Sequence, residues 1–169
     1  MKTRFLALCA LFTALMVLCA WISVPIGDIA VTMQTFALFM TLFLLGGRGG
    51  LWVVCCNLTL GAVGVPVFSG FRGGLGALLG PTGGYLMGFA LGAVVYAILT
   101  KKGKNQIFGA VLCLLTSYAA GTVWFSLVYA DGASWIFALS RCVLPFVIPD
   151  LLKLWLARQM SKRLRKFAR

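Results

Sequence analysis

The chain is a succession of apolar runs, most of them about as long as a bilayer is thick, and that feature leaves few folds open. The runs extend from Phe5 to Val24, about Ile29 to Leu45, about Leu51 to Val65, near Pro81 to Leu99, about Ile107 to Tyr129, and about Ser134 to Leu156. A helix needs about 20 largely apolar residues to cross the hydrocarbon core, because its backbone polar groups must be satisfied within the segment. The interruptions are Pro25, the stretch Gly46-Gly47-Arg48-Gly49-Gly50, Pro66 with the glycine-rich segment after it, Lys101-Lys102-Gly103-Lys104-Asn105, and Ala130-Asp131-Gly132. The runs are continuously apolar rather than alternating, which disfavours a β-barrel. The expected fold is an all-α integral membrane protein of about six transmembrane helices, forming a single domain over residues 1–169.

Composition closes the other routes. Hydrophobic residues make up 62% of the chain and charged residues 11%, against roughly 45–50% and about 25% in soluble domains. A soluble globular enzyme and a disordered chain are both excluded on that ground. Histidine is absent and there are three acids, which removes most metal sites and most general-base machinery. No cofactor is expected. Cys9, Cys19, Cys55, Cys56, Cys113 and Cys142 all lie in apolar runs without a CxxC pair, so they read as small hydrophobes rather than a disulfide framework. The first run follows Lys2 and Arg4 as a signal peptide would. It is longer than the 7–15 residues of a signal core and lacks an Ala-x-Ala site, so a retained helix is expected.

The charges are sorted by position. With six spans both termini share a side, and on that side fall Lys2, Arg4, Arg48, Lys101, Lys102, Lys104 and the six cations from Arg158 to Arg169. Only Arg72, Arg141 and Lys153 fall elsewhere, while Asp28 and Asp131 fall in loops on the opposite side. Cytoplasmic loops carry the excess of Lys and Arg, so both termini are expected in the cytoplasm. The net charge of +12 is then chiefly a topology signal. The tail Lys162-Arg163-Leu164-Arg165-Lys166 fits an anionic lipid surface, and no nucleic-acid partner is expected.

Polar residues inside the runs are the candidates for function. A charge at mid-membrane costs about 2.5–3.5 kcal/mol on insertion scales and needs a partner or a task. Asp150 and Lys153 stand three apart, on nearly one helix face, where they can pair. They make either a ligand site or a self-neutralising ion pair, and Arg141 could join them across a kink. Pro145 and Pro149 free backbone carbonyls nearby, consistent with a broken helix lining a cavity. Gln34 and Asn57 each offer donor and acceptor groups, for a ligand or for a neighbouring helix. Arg72, set among glycines, suits either a mobile lid that seeks an anion or a solvated loop. Gly80, Gly84, Gly88 and Gly92 recur every fourth residue and give the fourth helix a smooth packing face, and Ala7, Ala10 and Ala14 form a small-residue stripe on the first.

Four segments together resemble a known family. They are Val31-Thr32-Met33-Gln34-Thr35-Phe36, Leu60-Gly61-Ala62-Val63-Gly64-Val65-Pro66-Val67-Phe68-Ser69-Gly70, Gly80-Pro81-Thr82-Gly83-Gly84-Tyr85-Leu86, and Pro145-Phe146-Val147-Ile148-Pro149-Asp150-Leu151-Leu152-Lys153. In order and spacing they are similar to BioY, the biotin-specific S component of energy-coupling factor (ECF) transporters. The resemblance implies a six-helix S-component fold in a prokaryotic cell membrane. It also implies that biotin is captured at the outer face, and that the partners are a transmembrane T component and two ABC-type ATPases that hydrolyse ATP for it. It places the ureido ring of biotin between Asp150 and Lys153, with Asn57 completing ring recognition. Tyr85, Phe68 and Phe71 are then candidate walls, Arg72 the group for the carboxylate with Gln34 as the alternative, and Ala7, Ala10 and Ala14 the docking stripe for the T component. Rival readings are an S component for a thiamin- or riboflavin-type vitamin, an intramembrane enzyme, and a scaffold or channel. An enzyme would need a base, and a Cys55 or Cys56 nucleophile has no histidine to activate it.

Overall fold

A computed structural model describes residues 2–26, 29–100, 105–128 and 143–167. Helix α1 spans Lys2–Trp21, and strands β1 (Ser23–Ile26) and β2 (Ile29–Thr32) follow it. Helix α2 covers Gln34–Ala62, a 3-10 turn covers Ser69–Phe71, and α3 is the short helix Leu75–Leu78. Helices α4 (Gly83–Leu99), α5 (Gln106–Val128) and α6 (Leu144–Phe167) complete the order. Thr3–Trp21, Gln34–Ala62 and Gln106–Val128 are long and apolar enough to cross a membrane, and α4 is a shorter apolar helix.

The 29 residues of α2 form two limbs rather than one rod. Gly46 sits at φ 75° and ψ −179°, a region essentially reserved for glycine. In a straight helix the 23 residues between Gln34 and Asn57 would span about 34 Å, yet Gln34 Nε2 donates to Asn57 Oδ1 across 3.3 Å. The chain therefore folds back at Gly46, into limbs 34–45 and 47–62, matching the two separate spans expected for this stretch. The turn leaves carbonyls at the end of the first limb without helical donors. Arg165 of α6 donates to one of them, the Phe43 carbonyl, and the Arg158 guanidinium lies over the Phe43 ring.

The expected helix ends need correction at the opposite end of the bundle. The first helix stops at Trp21, not Val24, and the second begins at Gln34, not Ile29. Between them β1 and β2 pair antiparallel from Ser23 opposite Thr32 to Ile26 opposite Ile29. The physical reason is local. The two short runs, Ser23–Ile26 and Ile29–Thr32, are rich in β-branched residues, which favour paired strands over a continued helix. The last helix also differs, since it runs unbroken through Pro149 and carries the basic tail as far as Phe167. Pro145 lies in its first turn, where the missing N–H costs little. Asp28, Asp131, Arg141, Cys142, Arg169 and the lysines at 101, 102 and 104 lie outside the described residues.

Packing rests on α2, which contacts α1, α4 and α6, and on the closely apposed pair α4 and α5. Gly84, Gly88 and Gly92 are buried, and a Cβ on each would strike Trp124, Ser117 and Cys113 of α5 respectively. The exchange is mutual, because Gly109 and Gly121 of α5 receive the rings of Tyr96 and Tyr85. Gly80 is not on that face. It precedes α4, and its carbonyl accepts from Trp124 Nε1 at 3.0 Å. Among the described cysteines, Cys9, Cys19 and Cys113 are buried and all are free thiols. Gly88→Leu is expected to destabilise the protein by about 1–3 kcal/mol through overpacking against Ser117. Thermal unfolding in detergent would show a lowered midpoint, and an unchanged midpoint would refute the close approach of α4 and α5.

Candidate functional site

The described acids reduce to one carboxylate, and the fold surrounds it with donors. Asp150 is two turns into α6 and 3% exposed, and Lys153 is 6% exposed. Lys153 Nζ lies 2.7 Å from Asp150 Oδ1. Thr35, in the first turn of α2, donates to the same oxygen at 2.8 Å, and Tyr118 of α5 donates to Oδ2 at 2.7 Å. Lys153 Nζ also donates to the Thr32 carbonyl at 2.7 Å and to Thr35 Oγ1 at 3.2 Å. Its three protons thus have three acceptors, and the carboxylate receives three hydrogen bonds. A buried ion pair that is matched in this way survives in low dielectric.

The β-hairpin explains part of this arrangement. Met33 N–H donates to the Ile22 carbonyl, which ties the end of α1 to the start of α2. Strand β2 then presents the Thr32 carbonyl toward α6 while Gln34 and Thr35 begin the helix beside it.

These groups face a cavity at the end of the bundle where α2, α4 and α6 begin. It holds about 640 Å³ of empty space, its open mouth included. Asp150, Lys153, Gln34 and Thr35 are on its wall, and Phe68, Tyr85, Phe89 and Phe146 supply apolar and aromatic surface. Ser69, Thr82, Ser117 and Tyr118 add hydroxyl groups. The cations Arg158 and Arg165 lie at the other end, against Gln106 and the α2 turn.

The expected site residues divide into three groups. Asp150, Lys153, Gln34, Tyr85 and Phe68 converge on the cavity. Asn57 does not reach its wall. It is 1% exposed, it accepts from Gln34, and its Nδ2 has no hydrogen-bond partner among the described residues. Phe71 is also outside. It is 63% exposed and stacks on Trp21 with ring centroids 4.9 Å apart. The loop geometry separates the two phenylalanines, since Gly70 and Phe71 both have positive φ, 68° and 56°. Phe68 turns inward over Gly61, where any Cβ would strike its ring, and Phe71 turns outward.

Arg72 lies in an adjoining hollow that shares Phe68, Ser69 and Thr82 with the cavity. Its loop is pinned as a turn, because Phe68 N–H donates to the Arg72 carbonyl and Gly74 N–H to the Gly61 carbonyl. Ala7, Ala10 and Ala14 are exposed on α1. Ala10 and Ala14 line an outward groove with Trp52, Cys55 and Cys56 from the second limb of α2, so packing inside the bundle is not their use among the described residues. Sequence reasoning missed Thr35, Tyr118 and Thr32. Thr35 sat within a quoted segment, whereas nothing local marks Tyr118.

Comparison with known proteins agrees with this construction. A sequence model described as the BioY family matches residues 1–169. The chain belongs to the BioY family. It is 40% identical over 166 residues to a protein of Thermotoga maritima named biotin transporter BioY, covering 96% of each chain. It is 35% identical over 164 residues to a probable biotin transporter BioY of Pyrococcus horikoshii, covering 97% of this chain and 98% of the relative. A solved structure, described as the S-component for biotin from an ECF-type ABC transporter, superposes with a TM-score of 0.85 at 28% identity. The match covers 98% of this chain and 92% of that one. The fold is that of an S component, and the chain is a transporter subunit rather than an enzyme.

The double bookkeeping of charge gives a testable consequence for stability. Lys153→Met alone leaves a buried carboxylate without its cation, expected to cost about 3–5 kcal/mol. Adding Asp150→Asn should recover part of that loss, seen as a higher unfolding midpoint for the double variant than for the single. Equal midpoints would mean that the two charges do not compensate each other.

Proposed function

We propose that this chain is the biotin-binding S component of an ECF-type vitamin-uptake transporter in a prokaryotic cell membrane. The observation that carries this reading is the buried Asp150–Lys153 pair on the wall of a cavity otherwise lined mainly by aromatic and apolar side chains. Biotin matches that pattern in both halves. Its ureido ring offers N–H donors beside a carbonyl acceptor, and its thioether ring and valeryl chain are apolar. Asp150 accepts from a ureido N–H while Lys153 donates to the carbonyl, in charge-assisted bonds stronger than neutral ones. Gln34 meets the ring edge, held in orientation by Asn57 behind it. Tyr85, Phe68 and Phe146 pack on the thioether ring and the valeryl chain. The valeryl carboxylate points past Ser69 and Thr82 toward Arg72. Phe71 acts from outside, by anchoring the loop on Trp21.

The transport step belongs to partners. In this reading both termini are cytoplasmic and the cavity end faces outward, so biotin is captured outside. A transmembrane T component and two ABC-type ATPases drive delivery inward, with the exposed stripe of Ala7, Ala10 and Ala14 as the docking face. Small residues there permit close approach of a partner helix.

Equilibrium binding of radiolabelled biotin to the purified chain tests the ligand. Saturable binding below micromolar, competed by biotin but not by thiamin or riboflavin, is expected; its absence would sink the assignment. Asp150→Asn and Lys153→Met should each weaken binding more than about tenfold, or about 1.4 kcal/mol. Wild-type affinity in both would return the pair to a structural role. For the docking face, Ala10→Trp should abolish co-purification with the T component while biotin binding persists, and unchanged co-purification would refute that surface.

A further inference from the structure

The cavity is not closed at the end away from Asp150. Beyond Phe68, Ser69 and Thr82, which it shares with the cavity, lies a hollow of about 760 Å³, open space included. Its wall is unusually bare, since Gly73, Gly76 and Gly80 contribute no side chains. Among the described residues that line it, Arg72 is the one cation. A Cβ built on Gly76 would find nothing within 4 Å. The loop that bounds this space is held by backbone hydrogen bonds from Phe68 to Arg72 and from Gly74 to Gly61, so the hollow is part of the fold.

We infer that this hollow is an annex that admits ligands extended through the biotin carboxyl group, specifically biotin amides whose tail ends in a carboxylate. The inference rests on the biotin reading above and widens the substrate class. The bicyclic head remains against the Asp150–Lys153 pair. Where the free acid directs its carboxylate past Ser69 and Thr82 toward Arg72, an amide sets its linkage between those hydroxyls, which can donate to its carbonyl and accept from its N–H. The tail then runs over the glycine surface, which presents no side chain to obstruct it. Its terminal carboxylate meets Arg72, whose planar fork suits a bidentate partner. An alkyl tail without a terminal anion has no comparable partner there, because Arg72 is the only charged group among the described residues that line the annex. Nε-Biotinyl-lysine, the fragment left when a biotinylated protein is fully hydrolysed, has the required amide and terminal carboxylate.

Gly76 provides the decisive variant, since it lines the hollow but not the cavity and a Cβ there meets nothing within 4 Å. Displacement of radiolabelled biotin from the purified chain is measured with N-biotinyl-6-aminohexanoic acid and with Nε-biotinyl-lysine. Both should compete within about tenfold of biotin itself. Gly76→Phe and Gly76→Trp should weaken the two extended ligands by more than about tenfold while leaving biotin within about twofold. Arg72→Gln should weaken N-biotinyl-6-aminohexanoic acid more than its terminal amide. If biotin binds tightly but neither extended ligand competes, the annex is overturned while the biotin assignment stands. Equal loss of biotin and extended ligands in both Gly76 variants would also overturn it. If labelled biotin itself shows no saturable binding, the underlying assignment fails first.

Discussion

One carboxylate and one ammonium, 2.7 Å apart and almost sealed from solvent, set the terms for the structure around them. Neither charge is tolerable in a membrane bundle without the other, and even the pair is costly unless its remaining lone pairs and protons are matched. The pair and the groups that match it come from four separate elements. Thr32 lies in β2, Thr35 opens α2, Tyr118 sits midway along α5, and both charges ride on α6. The β-hairpin, the start of α2 and the seating of α5 must all be in place for the pair to be satisfied. That dependence makes the polar cluster a register for the bundle as well as a face of the cavity.

Glycine does the complementary work. In a membrane, apolar side chains gain little by leaving lipid for one another, so helices associate where backbones approach closely. The α4–α5 contact follows this rule with glycines on both helices, each meeting side-chain or backbone atoms of the other helix that a Cβ would strike. Tyr85 is positioned by the gap at Gly121, and Phe68 by the gap at Gly61. Two of the aromatic walls of the cavity thus owe their orientation to side chains that are missing elsewhere.

Much of this was legible in the chain itself, and the failures have local causes. The apolar runs and their breaks gave the helices in order, and the spacing of Asp150 and Lys153 marked a pair on one face. Helix ends at the cavity side were misread because a short strand of β-branched residues is also apolar, and hydropathy alone does not separate the two. Phe68 and Phe71 are three residues apart in one glycine-rich loop, and only the positive φ values at Gly70 and Phe71 send one ring in and the other out. Asn57 looked equivalent to Gln34 by residue type, yet the return of α2 puts it behind Gln34. Tyr118 is 32 residues from Asp150, and an isolated tyrosine in an apolar helix carries no mark of its partner.

The saturation of the polar cluster also bears on how a ligand would gain affinity. All three protons of Lys153 are already engaged, so a ligand carbonyl must displace one of their acceptors rather than find a free donor. Exchange of one acceptor for another on this ammonium returns only part of the about 1.5–3 kcal/mol that a hydrogen bond to a charged group contributes. Asp150 is different, because a carboxylate has room for about four hydrogen bonds and receives three here. A ligand N–H can add to it without displacement. The polar cluster is therefore better suited to choosing a ligand than to holding it, since a molecule lacking the N–H and carbonyl pattern would disturb a satisfied network and return nothing. Holding falls to the apolar surface of Phe68, Tyr85, Phe89 and Phe146, where each square ångström removed from water contributes about 25 cal/mol. Specificity and affinity are thus assigned to different walls of one cavity.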